Sequence, residues 1–273
     1  MLVLLGPPFE GADSDYARLA GITGMVAYDL RTKLKPDTWG VVRAVGDAGQ
    51  AELLAARLRD AGFRAVALDP AVGHDPERKI VPLVALELRE DALVLVLRGR
   101  EMSVSWRSVL VLVRGEVQLG VMPQSLRSPS TGSSTFRAIV PSAADLSVFR
   151  EQQAGGLDAY AALDLHFATV GWVGRIDART FDFAPLGILA ATPAAQLDEL
   201  AELLAGATGA RVDRGGRTSS VLAFTARANA PRSHTPAPGA TPSSMRPPGP
   251  SSLSERFDAY SRMVAEAERL TRR

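Results

Sequence analysis

The chain has 273 residues, 31 Lys and Arg against 30 Asp and Glu, 46% apolar residues and no cysteine. A near-neutral balance supplies no field to attract nucleic acid or an anionic membrane, so neither is an expected partner. Without cysteine there is no disulfide framework, thiol nucleophile or thiolate metal ligand, and histidines scattered at 74, 166 and 234 do not cluster into an imidazole site. No metal or cofactor is therefore expected.

Leu2 to Leu5 is apolar, has no basic region before it, and runs into Gly6-Pro7-Pro8. That reads as a first strand and not as a signal peptide. Asp13 or Ser14 then caps a helix carrying Tyr16, Leu19 and Ile22, which stops at Gly24. A short helix from Val26 to Leu34 ends before Pro36, because proline biases its neighbour away from helix. From Trp39 to Asp69 the spacing predicts strand, helix and strand. Asp47 is the N-cap and Gln50 completes a capping box. Leu53, Leu54, Leu58 and the intervening alanines form a stripe expected to face a sheet, and Gly62 ends the helix. Val41-Val42 and Val66 to Leu68 are the flanking strands.

This order resembles the C-terminal domain of the bacterial ribosomal stalk protein. The resemblance is carried by Ile22-Thr23-Gly24-Met25, by Ala27-Tyr28-Asp29-Leu30 directly behind it, and by Ala51-Glu52 and Ala61-Gly62 in the third helix. It implies a small ferredoxin-like α/β unit over residues 1–70. The family's lysine-rich factor-binding face is nearly absent, with only Lys33 and Lys35 nearby, so the expectation is of shape without the ribosomal role.

After a linker at Asp69 to Lys79 the texture changes to strands: Val81 to Leu88, Leu93 to Leu97, Met102 to Trp106 and Val109 to Val113. Turn signals every eight to ten residues predict an antiparallel meander. Gly115 to Thr135 reads as a long mobile loop, Phe136 to Val140 as a strand and Ala143 to Gln153 as a short helix. Tyr160 to Phe183 is a hairpin. Its register must bring Leu163, Leu165 and Phe167 against Trp172, Gly174 and Ile176, which places Asp164 opposite Arg175. Thr192-Pro193 opens a capping helix with a face of Leu197, Leu200, Leu203 and Leu204, and Val221 to Thr225 is a candidate closing strand. Several strands closed by one helix follow the element order of the bacterial pleckstrin-homology-like architecture.

The expected class is thus α+β, with the stalk-domain-like unit followed by an antiparallel β-rich domain over residues 78–226. A proline-rich linker at 227–251 is expected to lack regular structure. A terminal amphipathic helix over 252–273 has a narrow seam of Leu253, Phe257, Tyr260, Val264 and Ala267.

Three constellations bear chemistry. Asp164 and His166 share a strand face beside Arg175 and Asp177, as an acid–base cluster would; the favoured reading is a solvated face with cross-strand ion pairs. Arg214, Gly215, Gly216, Arg217 and Ser219 could hold an anion through backbone amides and guanidinium groups, against a plain turn after a helix. Thr218, Ser219 and Ser220 are candidate phosphorylation sites in that run. Trp39, Trp106 and Trp172 are expected to anchor sheet edges. With no nucleophile placed beside an acid–base pair, no catalytic residue is assigned. The leading expectation is a non-enzymatic cytoplasmic adaptor that offers the seam Leu253, Phe257, Tyr260, Val264 and Ala267 to a protein partner. An anion or small-molecule sensor using the Arg214–Ser220 run is the alternative, and an enzyme built on Asp164, His166, Arg175 and Asp177 the third. No stretch of about eighteen apolar residues occurs, so no membrane span is expected, and no pattern sets an oligomeric state.

Overall fold

A computed structural model describes residues 1–119, 158–216, 219–221 and 253–272. The expected features at 120–157, the linker at 227–251 and the segment after Val221 lie outside the described residues.

The N-terminal unit runs β1 (Leu2–Gly6), α1 (Asp13–Thr23), α2 (Ala27–Lys33), β2 (Gly40–Ala44), α3 (Ala48–Asp60) and β3 (Arg64–Leu68). Its antiparallel sheet has the order β2-β1-β3. Two helix signals act as the residues predict: Asp47 accepts from the Gln50 N–H at 2.8 Å, and Gly24 closes α1 with φ 70°. The expected cap at Asp13 or Ser14 is corrected, since Asp13 is already the first residue of α1 and Ala12 before it makes no side-chain cap. Central β1 is buried on both faces. Val3 and Leu5 meet Leu19, Leu30, Ala55 and Leu58 of the helices, while Leu2 and Leu4 point the other way. One expectation is corrected here. In α3 the sheet-facing residues are Ala51, Ala55 and Leu58, whereas Leu53 is 64% exposed, because four and three residues complete successive turns and position 53 falls off that row.

The remainder forms a seven-stranded sheet of order β10-β7-β8-β9-β4-β5-β6. Its strands are β4 (Ile80–Leu88), β5 (Ala92–Leu97), β6 (Arg100–Ser105), β7 (Val109–Leu119), β8 (Asp158–Phe167), β9 (Val173–Asp177) and β10 (Arg211–Gly216). The sheet is mixed, not a plain antiparallel meander: β4 runs parallel to β9 and β10 parallel to β7. Local turn signals define hairpins, but both parallel contacts join segments far apart in sequence. Gly115 to Leu119 also belongs to β7 and not to a loop, since the strand continues paired along β8 and Val117 is buried. Helix α4 (Pro193–Thr208), capped by Thr192 and closed by Gly209, covers one face of this sheet through Leu197, Leu200, Ala201 and Leu204.

The other face is covered by the terminal helix α5 (Leu253–Thr271). Phe257, Tyr260, Met263 and Val264 pack simultaneously on Val111 and Val113 of β7 and on Leu2, Leu4, Val41 and Val66 of the small sheet. From one side to the other, the layers are α1–α3, small sheet, α5, large sheet and α4.

Candidate functional site

The β8–β9 hairpin has the expected register: Leu165 pairs with Gly174, Asp164 with Arg175 and His166 with Val173. Phe167 and Trp172 close it with ring centroids 5.4 Å apart. Leu163, Leu165 and Phe167 join the core under α4. The polar face is not solvated, however. Asp164 is 0% exposed, His166 2% and Arg175 8%, because α5 lies over them.

Arg175 donates to Asp164 twice, Nε to Oδ1 at 2.7 Å and Nη2 to Oδ2 at 2.8 Å. Asp258 Oδ1 of α5 stands 2.8 Å from the same guanidinium, which lies 5.0 Å from the centroid of the Phe257 ring. Ser261 donates its hydroxyl to Asp164 Oδ2 at 2.7 Å, and its Oγ is 2.7 Å from His166 Nε2. Burial alone would raise the Asp164 carboxyl, but the Arg175 charge and hydrogen bonds outweigh it and hold the group below the usual range. Burial pushes His166 down to about 3 against the opposing charge of Asp164, so the imidazole is neutral.

These protonation states set the direction of every hydrogen bond. A carboxylate only accepts, so the single Ser261 proton goes to Asp164, and His166 must be the Nε2–H tautomer donating to Ser261. Nucleophile activation needs the reverse, with histidine taking the serine proton. The trio therefore forms a closed hydrogen-bonded brace. Asp177 stands apart from it, paired with Arg179 at 2.8 Å.

A second brace links the small sheet, α5 and the large sheet. Asp213 of β10 accepts from the Tyr260 hydroxyl, from the Gly215 N–H at 2.9 Å and from the Trp39 N–H at 3.2 Å. Glu268 accepts from Trp39 Nε1 at 2.9 Å and pairs with Arg64 and Arg211, each at 2.7 Å. Burial opposes ionisation of Glu268, but Arg211, the indole N–H and Arg64 together keep its carboxyl below the ordinary range. Trp39 thus anchors the core as expected. Sequence reasoning missed Ser261, Asp213 and Glu268. Their only signal was a polar residue beside the apolar seam or inside a strand.

The expected anion site is occupied by its own chain. Arg214 pairs with Glu202. Ser219 donates its hydroxyl to the Trp39 carbonyl at 2.6 Å, and Ser220 Oγ accepts from the Val41 N–H at 2.9 Å. Gly215 and Gly216 are buried, and α5 lies close on them: a Cβ at Gly215 would stand 2.1 Å from the Tyr260 hydroxyl oxygen and one at Gly216 2.9 Å from the Phe257 ring. Arg217 and Thr218 lie outside the described residues.

The seam of α5 is likewise filled. Phe257, Tyr260, Val264 and Ala267 are each at most 1% exposed, so the expectation of a helix held free for a partner is corrected. The side chain of Leu253 lies outside the described residues. Gly115 belongs to the same receptacle, since a Cβ there would sit 2.1 Å from Phe257. A seam read from one helix identifies which face is apolar, but not that the same chain supplies the complementary notch.

A groove of about 590 Å³ lies open on the N-terminal unit, between the end of α1, the end of β2 and the first turns of α3. Its lining includes Ile22, Leu53 and Leu54 with Arg43 and Arg57, and no carboxylate. It continues past Gly24 and Arg43 towards Lys33. Among the described residues no group of side chains could hold a metal ion, and no helix is long and apolar enough to cross a membrane. Compared with protein-family models, curated proteins and solved structures, the chain matches none of them.

Proposed function

We propose that this chain is a non-enzymatic cytoplasmic protein-interaction protein whose partner surface is the groove at Ile22, Arg43, Leu53 and Arg57. The occupant it suits is an acidic amphipathic helix of another protein, with apolar residues on Leu53 and Leu54 and carboxylates at the two arginines. The observation that carries the reading is Leu53, 64% exposed at the rim of a concave lining that has cations and no acid. The occupied polar braces support it too, since they leave the sequence-level catalytic and anion candidates committed to packing. The interaction surface moves from the terminal helix to the groove for the same reason. The likeness to the ribosomal stalk domain is carried as a proposal of shape alone. The test is affinity capture with the full chain and with Leu53→Asp/Arg57→Glu, a double variant of exposed residues that leaves the fold intact. Proteins captured by the unmodified chain and lost with the variant are expected. An identical captured set would overturn the reading.

A further inference from the structure

Among the described residues the two sheets have four edge strands, and the chain treats them unequally. At β2 the Val41 N–H is taken by Ser220 Oγ. At β3 the Ala65 carbonyl accepts from Arg59 at 3.2 Å. At β10 the register shifts between Asp213 and Gly216, the Gly215 N–H goes to the Asp213 side chain, and the Gly215 carbonyl accepts from the Ser219 N–H. These are the ordinary devices that stop an edge from pairing with another chain.

Among the described residues β6 is protected only at its last residue. It pairs with β5 through all six of its residues without a register shift. Among the described residues, the only other hydrogen bond to its main chain is at its last carbonyl, Ser105, which accepts from Ser108. Its charges, Arg100 and Glu101, stand at the start, and Met102 to Ser105 carry neither charge nor proline nor glycine. Beside this edge runs a cleft of about 460 Å³, whose lining alternates apolar residues (Met102, Val104, Ala168 and Val170) with serine and threonine and has Arg107 as its one charged group.

We infer that β6 is a strand-addition site for an extended peptide segment of a partner protein, with alternate apolar residues and an acidic residue at the end lying by Arg107. An unpaired edge recognises extended backbone through its own N–H and carbonyl groups. Alternate side chains of an added strand fall on one face, so every second residue enters the cleft over Met102 and Val104. The uncompensated cation in the lining selects an acidic end. This site is separate from the N-terminal groove, and each stands or falls without the other.

The test uses the full chain and a short synthetic peptide of alternating valine and threonine with an acidic residue at each end. Amide exchange and backbone chemical shifts are read across the protein. The expected result is saturable binding that slows exchange at those amides within Met102–Ser105 that do not bond to β5, with the groove residues unmoved. A peptide N-methylated at alternate amides should bind at least about tenfold more weakly, since it cannot complete the ladder. Ser103→Lys, which adds a charge to an exposed edge position without touching the core, should weaken binding as much with the melting temperature unchanged. Equal binding of the N-methylated peptide, or no change at β6, would overturn the inference. Protection, before any peptide is added, of the alternate β6 amides that do not bond to β5 would also overturn it, because the edge would already be paired with a second copy or with another part of the chain.

Discussion

Ser261 determines what the buried polar face of β8 can do. By giving its proton to Asp164 it obliges His166 to donate, and the imidazole stays neutral in the folded protein to about pH 3. The unfolded histidine protonates near its ordinary value of about 6.5. Between those values the unfolded chain binds the extra proton, so stability falls as pH drops from about 6.5 towards 3, by up to about 1.4 kcal/mol per unit from this residue. Asp164 and Glu268, both held below the usual carboxylate range, add a loss of the same sign at lower pH. Denaturant melts at several pH values check this. His166→Gln keeps a donor for Ser261 but does not titrate, so it should flatten the slope between about pH 5 and 6.5; an unaltered slope would place the titration elsewhere. Gly115 makes a second prediction. Its missing Cβ is the space that Phe257 fills, so Gly115→Ala should cost about 1–3 kcal/mol by overpacking. In a Phe257→Leu background most of that cost should vanish, and additive losses in the double-mutant cycle would contradict direct contact.

At the scale of elements, α5 departs most from an isolated reading. Its apolar seam is narrow, yet Ala259, Met263 and Ala265 are buried as well, because sheets press on it from two sides. Of the polar residues between, Ser261 and Glu268 are buried and Asp258 half-buried, with partners on both sheets: Asp258 and Ser261 face β8 and β9, while Glu268 faces Arg64 and Trp39. Removing residues 252–273 therefore takes away the shared core of both sheets. The remainder should either fail to fold or melt at least about 10 °C lower, given that Phe257→Ala alone is a deletion worth about 3–5 kcal/mol. A truncated chain with the original melting temperature would show that the helix is not the clamp described here.

For the whole molecule, the consequence is one cooperative unit from two sheets that share no strand. Trp39 of the small unit, Asp213 of the large one and Tyr260 of the helix meet in a single hydrogen-bonded group, so neither sheet can open without stranding buried polar atoms. By itself the sequence determined the local matters: the caps at Asp47 and Thr192, the left-handed stop at Gly24, and the hairpin register that sets Asp164 against Arg175. Each depends on neighbours within a few residues or on strict alternation, which one segment carries in full. Only the tertiary structure decided that the hairpin's polar face is buried, that Gly115 and Gly215 form a notch, and that α5 fills it. Those facts require residues from about 45 to about 140 positions apart to meet. No periodicity within either partner encodes that meeting, because complementarity of shape and hydrogen bonding belongs to the pair and not to either segment.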